Sequence, residues 1–191
     1  MNRLTREVFV ERTQELLLRH GGSNISLSSV LDACRANKGS LYHFFPNGKE
    51  ELLTAAMEKQ AECVMSSNRS FVANADTTSE AVFQLVKSLA KMVDSENCPE
   101  FLPFAVAGVI ADEGDSELRS VCVKTLESLE TLYTDSLVRD GLPRRSAKPI
   151  ASMVISTIEG ALSQARTRQT SVPLKHAASH LREYIASQVR A

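Results

Sequence analysis

Signatures of catalysis are missing from this sequence. It has no Gly-x-Ser-x-Gly elbow, no Walker loop and no His-Glu-x-x-His pair, and its four histidines do not sit where a nucleophile would have its base. Nothing here supports reading an enzyme or a cofactor. No apolar run approaches the roughly 20 residues that a membrane-spanning helix requires. The first twelve residues are charged and amphipathic, unlike a secretion signal, so the expectation is a cytoplasmic protein without a membrane partner. The four cysteines, Cys34, Cys63, Cys98 and Cys122, form no CxxC pair and fall on apolar helical positions or in a loop, as suits reduced thiols. Alternating strand patterns, internal repeats and low-complexity stretches are also missing. Net charge is scarce, at −1, but unevenly spread. Residues 1–49 hold seven Arg or Lys against four Asp or Glu, a net +3, leaving −4 for residues 50–191. A basic end on an acidic body turns the N-terminal face toward phosphates.

What is present reads as helix almost throughout, about nine in all, so the expected class is all-α. Phe9, Thr13, Leu16 and Leu17 form the apolar stripe of a first helix ended by Gly21-Gly22. Leu27, Val30, Leu31 and Cys34 fall at i, i+3, i+4 and i+7, giving a short second helix one apolar face, with Ser26, Ser28 and Ser29 crowding its start. Asn37 can cap a third helix whose first turn carries Lys38, Gly39 and Ser40. Unpaired backbone N–H groups and a cation then lie where a phosphate or base edge can approach. Leu41, Phe44 and Phe45 anchor that helix inward and leave Tyr42 and His43 outside, and Pro46, Asn47 and Gly48 stop it before Lys49 opens the next. A helix, a turn and a short helix presenting its N-terminal end make helix-turn-helix geometry.

The run Lys38-Gly39-Ser40-Leu41-Tyr42-His43-Phe44-Phe45-Pro46, followed by Gly48-Lys49-Glu50-Glu51-Leu52, resembles the signature of TetR-type (TetR/AcrR family) transcriptional regulators. With the later Cys98-Pro99 it is similar to the branch that includes the LmrA and YxaF repressors. The DNA-binding match covers roughly residues 4–62. The resemblance implies a DNA-binding domain over residues 1–47, extending into the fourth helix, and a ligand-binding and dimerisation domain over 48–191. It also implies that Lys38 approaches a base edge or phosphate, that Tyr42, His43 and Lys49 meet phosphates, and that the Ser26, Ser28 and Ser29 cluster meets the neighbouring strand. Asn37, Gly39 and Ser40 complete this DNA-facing set. Arg35 stands where the family usually has a turn glycine. A non-glycine residue at positive φ is unfavourable by roughly 1 kcal/mol, so the second helix is expected to run one residue longer.

Further along, Asn47 and Glu50 give a capping-box-like start to a long fourth helix, with Leu53, Ala56, Met57, Gln60, Cys63 and Val64 on one face. Thr77 with Glu80 opens a fifth. The segment FLPFAVAGVIA is apolar all round, as in a helix buried on every side. A long amphipathic helix ends at Gly141 and Pro143, and the last two are read as Ile150–Arg166 and Leu174–Val189, with Pro173 in the first turn of the latter. In the resembling family the central helices enclose a ligand cavity. On that basis Met57, Val86, Phe101, Phe104, Leu126, Tyr133 and Met153 are candidate walls for a small apolar or aromatic ligand, equally readable as core.

The stripe holding Val154, Ile158, Gly160, Ala161 and Leu162, with Ala178, Leu181 and Ile185 on the last helix, reads either as an intramolecular core or as a four-helix interface of a homodimer. The resemblance favours the dimer. His176, His180 and Glu183 have a spacing that suits metal, but no third His or Cys is placed by the sequence, and a solvated face is favoured over a metal site. The leading expectation is a ligand-released repressor acting as a homodimer on a palindromic operator. The alternatives are a thiol-redox-responsive regulator and a helical partner-binding module with a degenerate DNA reader.

Overall fold

A computed structural model of the protein describes residues 4–20, 25–95, 103–111 and 116–190. Among these residues all regular structure is helical: α1 (Arg6–His20), α2 (Leu27–Cys34), α3 (Lys38–Phe44), α4 (Lys49–Asn74), α5 (Thr78–Val93), α6 (Phe104–Ile110), α7 (Ser116–Arg139), α8 (Arg144–Arg168) and α9 (Val172–Arg190). The all-α expectation holds. The residues form two compact units, Met1–Cys63 with Phe104–Lys124, and Val64–Pro103 with Thr125–Ala191. The Gly21-Gly22 stop, Cys98-Pro99 and Phe101 lie outside the described residues.

In the first unit, Phe9, Leu17, Ile25, Val30, Leu41, Phe45, Leu52 and Leu53 bury their side chains together. Each such side chain contributes roughly 1.5–3 kcal/mol on leaving water. Phe9 sits at the centre, its ring 6.0 Å from those of both Phe44 and Phe45. On the outer side α1 and α4 are tied by Lys59 Nζ, 2.9 Å from Glu11 and 3.6 Å from Glu7, and by Gln14 donating to Gln60 at 2.7 Å.

The second unit is built on α5, α8 and α9. Ser79 at the start of α5 donates to the Arg182 carbonyl late in α9, and Asp94 just past the end of α5 pairs with Lys175 early in α9, so the two helices run antiparallel. Thr77 caps α5, its hydroxyl accepting from Glu80 N–H at 3.2 Å, while the buried Asp140 carboxylate accepts from Thr78 N–H at 2.6 Å. One deeply buried polar pair crosses this core: Tyr133 donates to Asn68 Oδ1 at 2.6 Å, and Asn68 Nδ2 donates to the Val64 carbonyl.

Several local expectations change. α2 stops at Cys34 rather than running on, and Arg35 closes it in the left-handed conformation, φ 51° and ψ 45°. Ala36 N–H reaches the Leu31 carbonyl there, a chain reversal that a longer helix would forbid. The residue that closes the start of α4 is Glu51, which accepts from Asn47 N–H at 3.0 Å, one position beyond Glu50. Cys63 is exposed rather than part of the apolar face of α4.

α6 is not buried on all sides. Phe104, Ala107 and the following Ala111 face inward at helical spacing, whereas Val109 is 82% exposed, since one short helix covers only one face. α8 begins at Arg144, because Ser146 and Ala147 N–H groups already bond the Pro143 carbonyl, and Pro149 therefore lies inside it.

Candidate DNA-reading site

The candidate reader is held by two caps. Ser26 Oγ accepts from Ser29 N–H at 3.0 Å, Ser29 Oγ donates to the Ser26 carbonyl, and the Ser26 and Ser28 hydroxyls lie 2.8 Å apart, so all three serines are engaged at the start of α2. Asn37 Oδ1 accepts from both Ser40 N–H, at 2.9 Å, and Ser40 Oγ, at 3.1 Å. These two bonds fix the first turn of α3.

Lys38, Gly39, Tyr42 and His43 are exposed on α3, and Lys49 is half-buried at the start of α4. Leu41 and Phe45 point into the core beneath them. Arg6 stacks its guanidinium 5.0 Å above the Phe45 ring, adding a cation beside the end of α3. The His43 ring meets Phe44 edge-on at 4.9 Å. The ten candidate residues thus fall on one stretch: the three serines, Asn37 and Ser40 hold the geometry, Lys38, Gly39, Tyr42 and His43 are exposed, and Lys49 is half-buried. A short capped helix with an exposed lysine, a phenol and an imidazole suits a polyanion such as a nucleic-acid backbone.

A model of the family described as transcriptional regulator LmrA/YxaF-like, C-terminal domain, matches residues 78–180. The chain belongs to that family, the LmrA/YxaF-like branch of the TetR-type transcriptional regulators. It is similar to the HTH-type regulator YxaF of Bacillus subtilis, 28% identical over 173 residues that cover 89% of each chain. It is also similar to the regulator LmrA of the same organism, 25% identical over 92% of this chain and 93% of that one. Among solved structures, a TetR transcriptional regulator from Chloroflexus aurantiacus shares the fold, with a TM-score of 0.82 over 96% of this chain and 94% of that one at 23% identity.

Outside the reader, the other assigned residues divide between the two units. Val86, Leu126, Tyr133 and Met153 pack in the core of the second, and Met57 and Phe104 are buried in the first. The Tyr133 hydroxyl is held protonated well above the usual phenol range by burial. Asn68, its partner, was not singled out by sequence reasoning, although it continues the Val64 face of α4 one turn on.

Six residues of the dimer stripe, Val154, Ile158, Ala161, Ala178, Leu181 and Ile185, are buried in this chain's own second core. Gly160 and Leu162 are half-buried. Much of the stripe is therefore occupied within one chain.

Proposed function

We propose that the chain is a repressor that binds a palindromic operator as a homodimer and is released by a small apolar or aromatic ligand. The observation that carries this reading is the Asn37-capped α3, with Lys38, Tyr42 and His43 exposed above the buried Leu41 and Phe45. One such reader specifies too few bases alone, whereas two readers one DNA turn apart, roughly 34 Å, recognise a palindrome. Residues 1–47, with α4 to about 62, would serve DNA, and the rest ligand and partner.

Within the second unit the candidate pocket walls are Val86, Leu126, Tyr133 and Met153, whose Met and aromatic surfaces suit apolar molecules of varied shape. In the dimer Gly160 and Leu162 would meet the partner, and the six buried stripe residues would support α8 and α9 from beneath. A cytoplasmic location is consistent with this role.

The test is fluorescence anisotropy of the full-length protein on a labelled duplex taken from upstream of its own coding sequence. Tyr42→Phe with Lys49→Ala should weaken binding to all sequences, and Lys38→Ala should also relax sequence preference. Unchanged affinity in the folded triple variant would sink the reading of α3. Light scattering on the wild type decides the dimer, since a monomer at micromolar concentration removes the premise of two readers.

A further inference from the structure

Two non-glycine residues among those described have positive φ, Arg35 at 51° and Gln169 at 52°, and each closes a helix. The left-handed conformation is unfavourable for both, and only the second is compensated by its own side chain. Gln169 Nε2 donates to the Arg166 carbonyl at 2.9 Å, satisfying one of the open acceptors that end α8. Arg35 makes no such bond. Its backbone N–H reaches the Asp32 carbonyl at 3.1 Å, but its guanidinium is exposed and has no hydrogen bond or ion pair among the described residues.

The position of Arg35 matters as much as its strain. It lies in the three-residue turn between α2 and α3, two residues before the Asn37 cap and three before Lys38. Arg35, Asn37, Lys38 and Gly39 are all exposed, so the turn and the start of α3 form one continuous stretch of surface with two cations that have no partner among the described residues. Over residues 25–49 the charged side chains are Arg35, Lys38 and Lys49 against Asp32. A planar guanidinium matches two phosphate oxygens at once, which an exposed ammonium does not.

We propose that Arg35 is a DNA-backbone contact, its guanidinium gripping a phosphate beside the groove that α3 enters. This rests on α3 being a DNA reader. The strained conformation is then maintained because the bound state uses the side chain it carries, while glycine would relax the turn and lose the grip.

The experiment compares wild-type full-length protein with Arg35→Gly, Arg35→Asn and Arg35→Lys on the upstream duplex, titrated from about 50 to 200 mM KCl. Arg35→Gly should lower affinity roughly tenfold and reduce the slope of log affinity against log salt by about 0.9, one phosphate contact. The same variant should melt higher by about 2–4 °C, because the strain is gone. Opposite signs in stability and binding separate a contact from a structural role. Arg35→Asn tolerates positive φ without the charge and should lose the same slope, whereas Arg35→Lys should retain it. Wild-type affinity and slope in Arg35→Gly, with the wild type binding normally, would overturn the contact. A wild type that binds no duplex at about 50 mM salt would instead remove the DNA reading on which it rests.

Discussion

The Tyr42 ring rests against the spot where a side chain on residue 48 would begin: a Cβ built on Gly48 would stand 3.1 Å from Tyr42 Cε1 and 3.7 Å from its hydroxyl. Gly48 also has φ +73°, a conformation that glycine adopts without cost. Two demands therefore meet at one residue. The backbone must turn from α3 into α4, and the exposed Tyr42 ring must lie against that turn.

Gly48→Ala should accordingly do two things at once. Strain of about 1 kcal/mol lowers the melting midpoint by about 2–4 °C, and displacement of the Tyr42 ring weakens DNA binding beyond what that loss explains. Calorimetry and anisotropy on the same preparation measure the two effects. If binding in Gly48→Ala equals that of wild type while stability falls, the placement of Tyr42 has no part in recognition.

Thr13 is fully buried in the first core, and its hydroxyl has no hydrogen-bond partner among the described residues. A buried hydroxyl left unsatisfied costs about 1–3 kcal/mol. Valine has nearly the same shape and no polar atom. Thr13→Val should raise stability by about 1 kcal/mol, read as a higher denaturant midpoint at unchanged slope. A lower midpoint would mean that the hydroxyl is bonded in solution.

The thiols should differ in reactivity. Cys63 is exposed, while Cys34 and Cys122 are buried, and burial pushes the Cys34 thiol up, with the Arg12 charge drawing it partly back. A folded value above the unfolded one means that the stability Cys34 contributes is complete below the unfolded pKa, about 8.5, and is lost as pH rises through the folded value. In a Cys98→Ser background, a colorimetric thiol reagent at neutral pH should label Cys63 quickly and the two buried cysteines only as the protein opens. Equal rates for all three would contradict their burial. If oxidation weakens DNA binding and Cys63→Ser abolishes the effect, the thiol-responsive alternative gains its sensor.

Local chemistry was the most legible part of the sequence. Asn37 and Thr77 cap helices where their spacing to Ser40 and Glu80 predicts, because a cap is decided within four residues. The Asn47 closure falls on Glu51 rather than Glu50, since residues three and four further on lie on the same side of a helix. Arg35 takes the left-handed conformation instead of extending α2, since a strain near 1 kcal/mol is small beside the burial of Cys34 and Leu41, which fixes where the turn must fall. The α8 stripe could not be assigned by period alone: an apolar face has the same pattern whether it packs on α9 of its own chain or on a second copy. Tyr133 and Asn68, 65 residues apart, meet through the packing of α4 and α7, which no local rule reads.

The mechanism of release makes the most demanding prediction. α4 is a single 26-residue helix that supplies residues to both compact units, and only four residues separate it from the end of α3. A ligand bound among the candidate walls can weaken DNA binding only if it prefers the conformation that binds DNA poorly, since equal affinity for both conformations shifts nothing. A hundredfold loss of operator affinity requires about 2.7 kcal/mol of such preference, within the usual range for coupling between sites. Linkage is reciprocal, so saturating operator DNA must reduce ligand affinity by the same factor. Once an inducer is identified by its effect on anisotropy, calorimetric titration with and without operator at fixed salt should give dissociation constants differing by the factor seen in DNA binding. Tyr133→Phe, which removes the hydroxyl bonded to Asn68 on α4, should fold and bind operator but alter that factor. Identical ligand affinities with and without DNA would rule out allosteric release, even for a protein proven to be a dimeric operator binder.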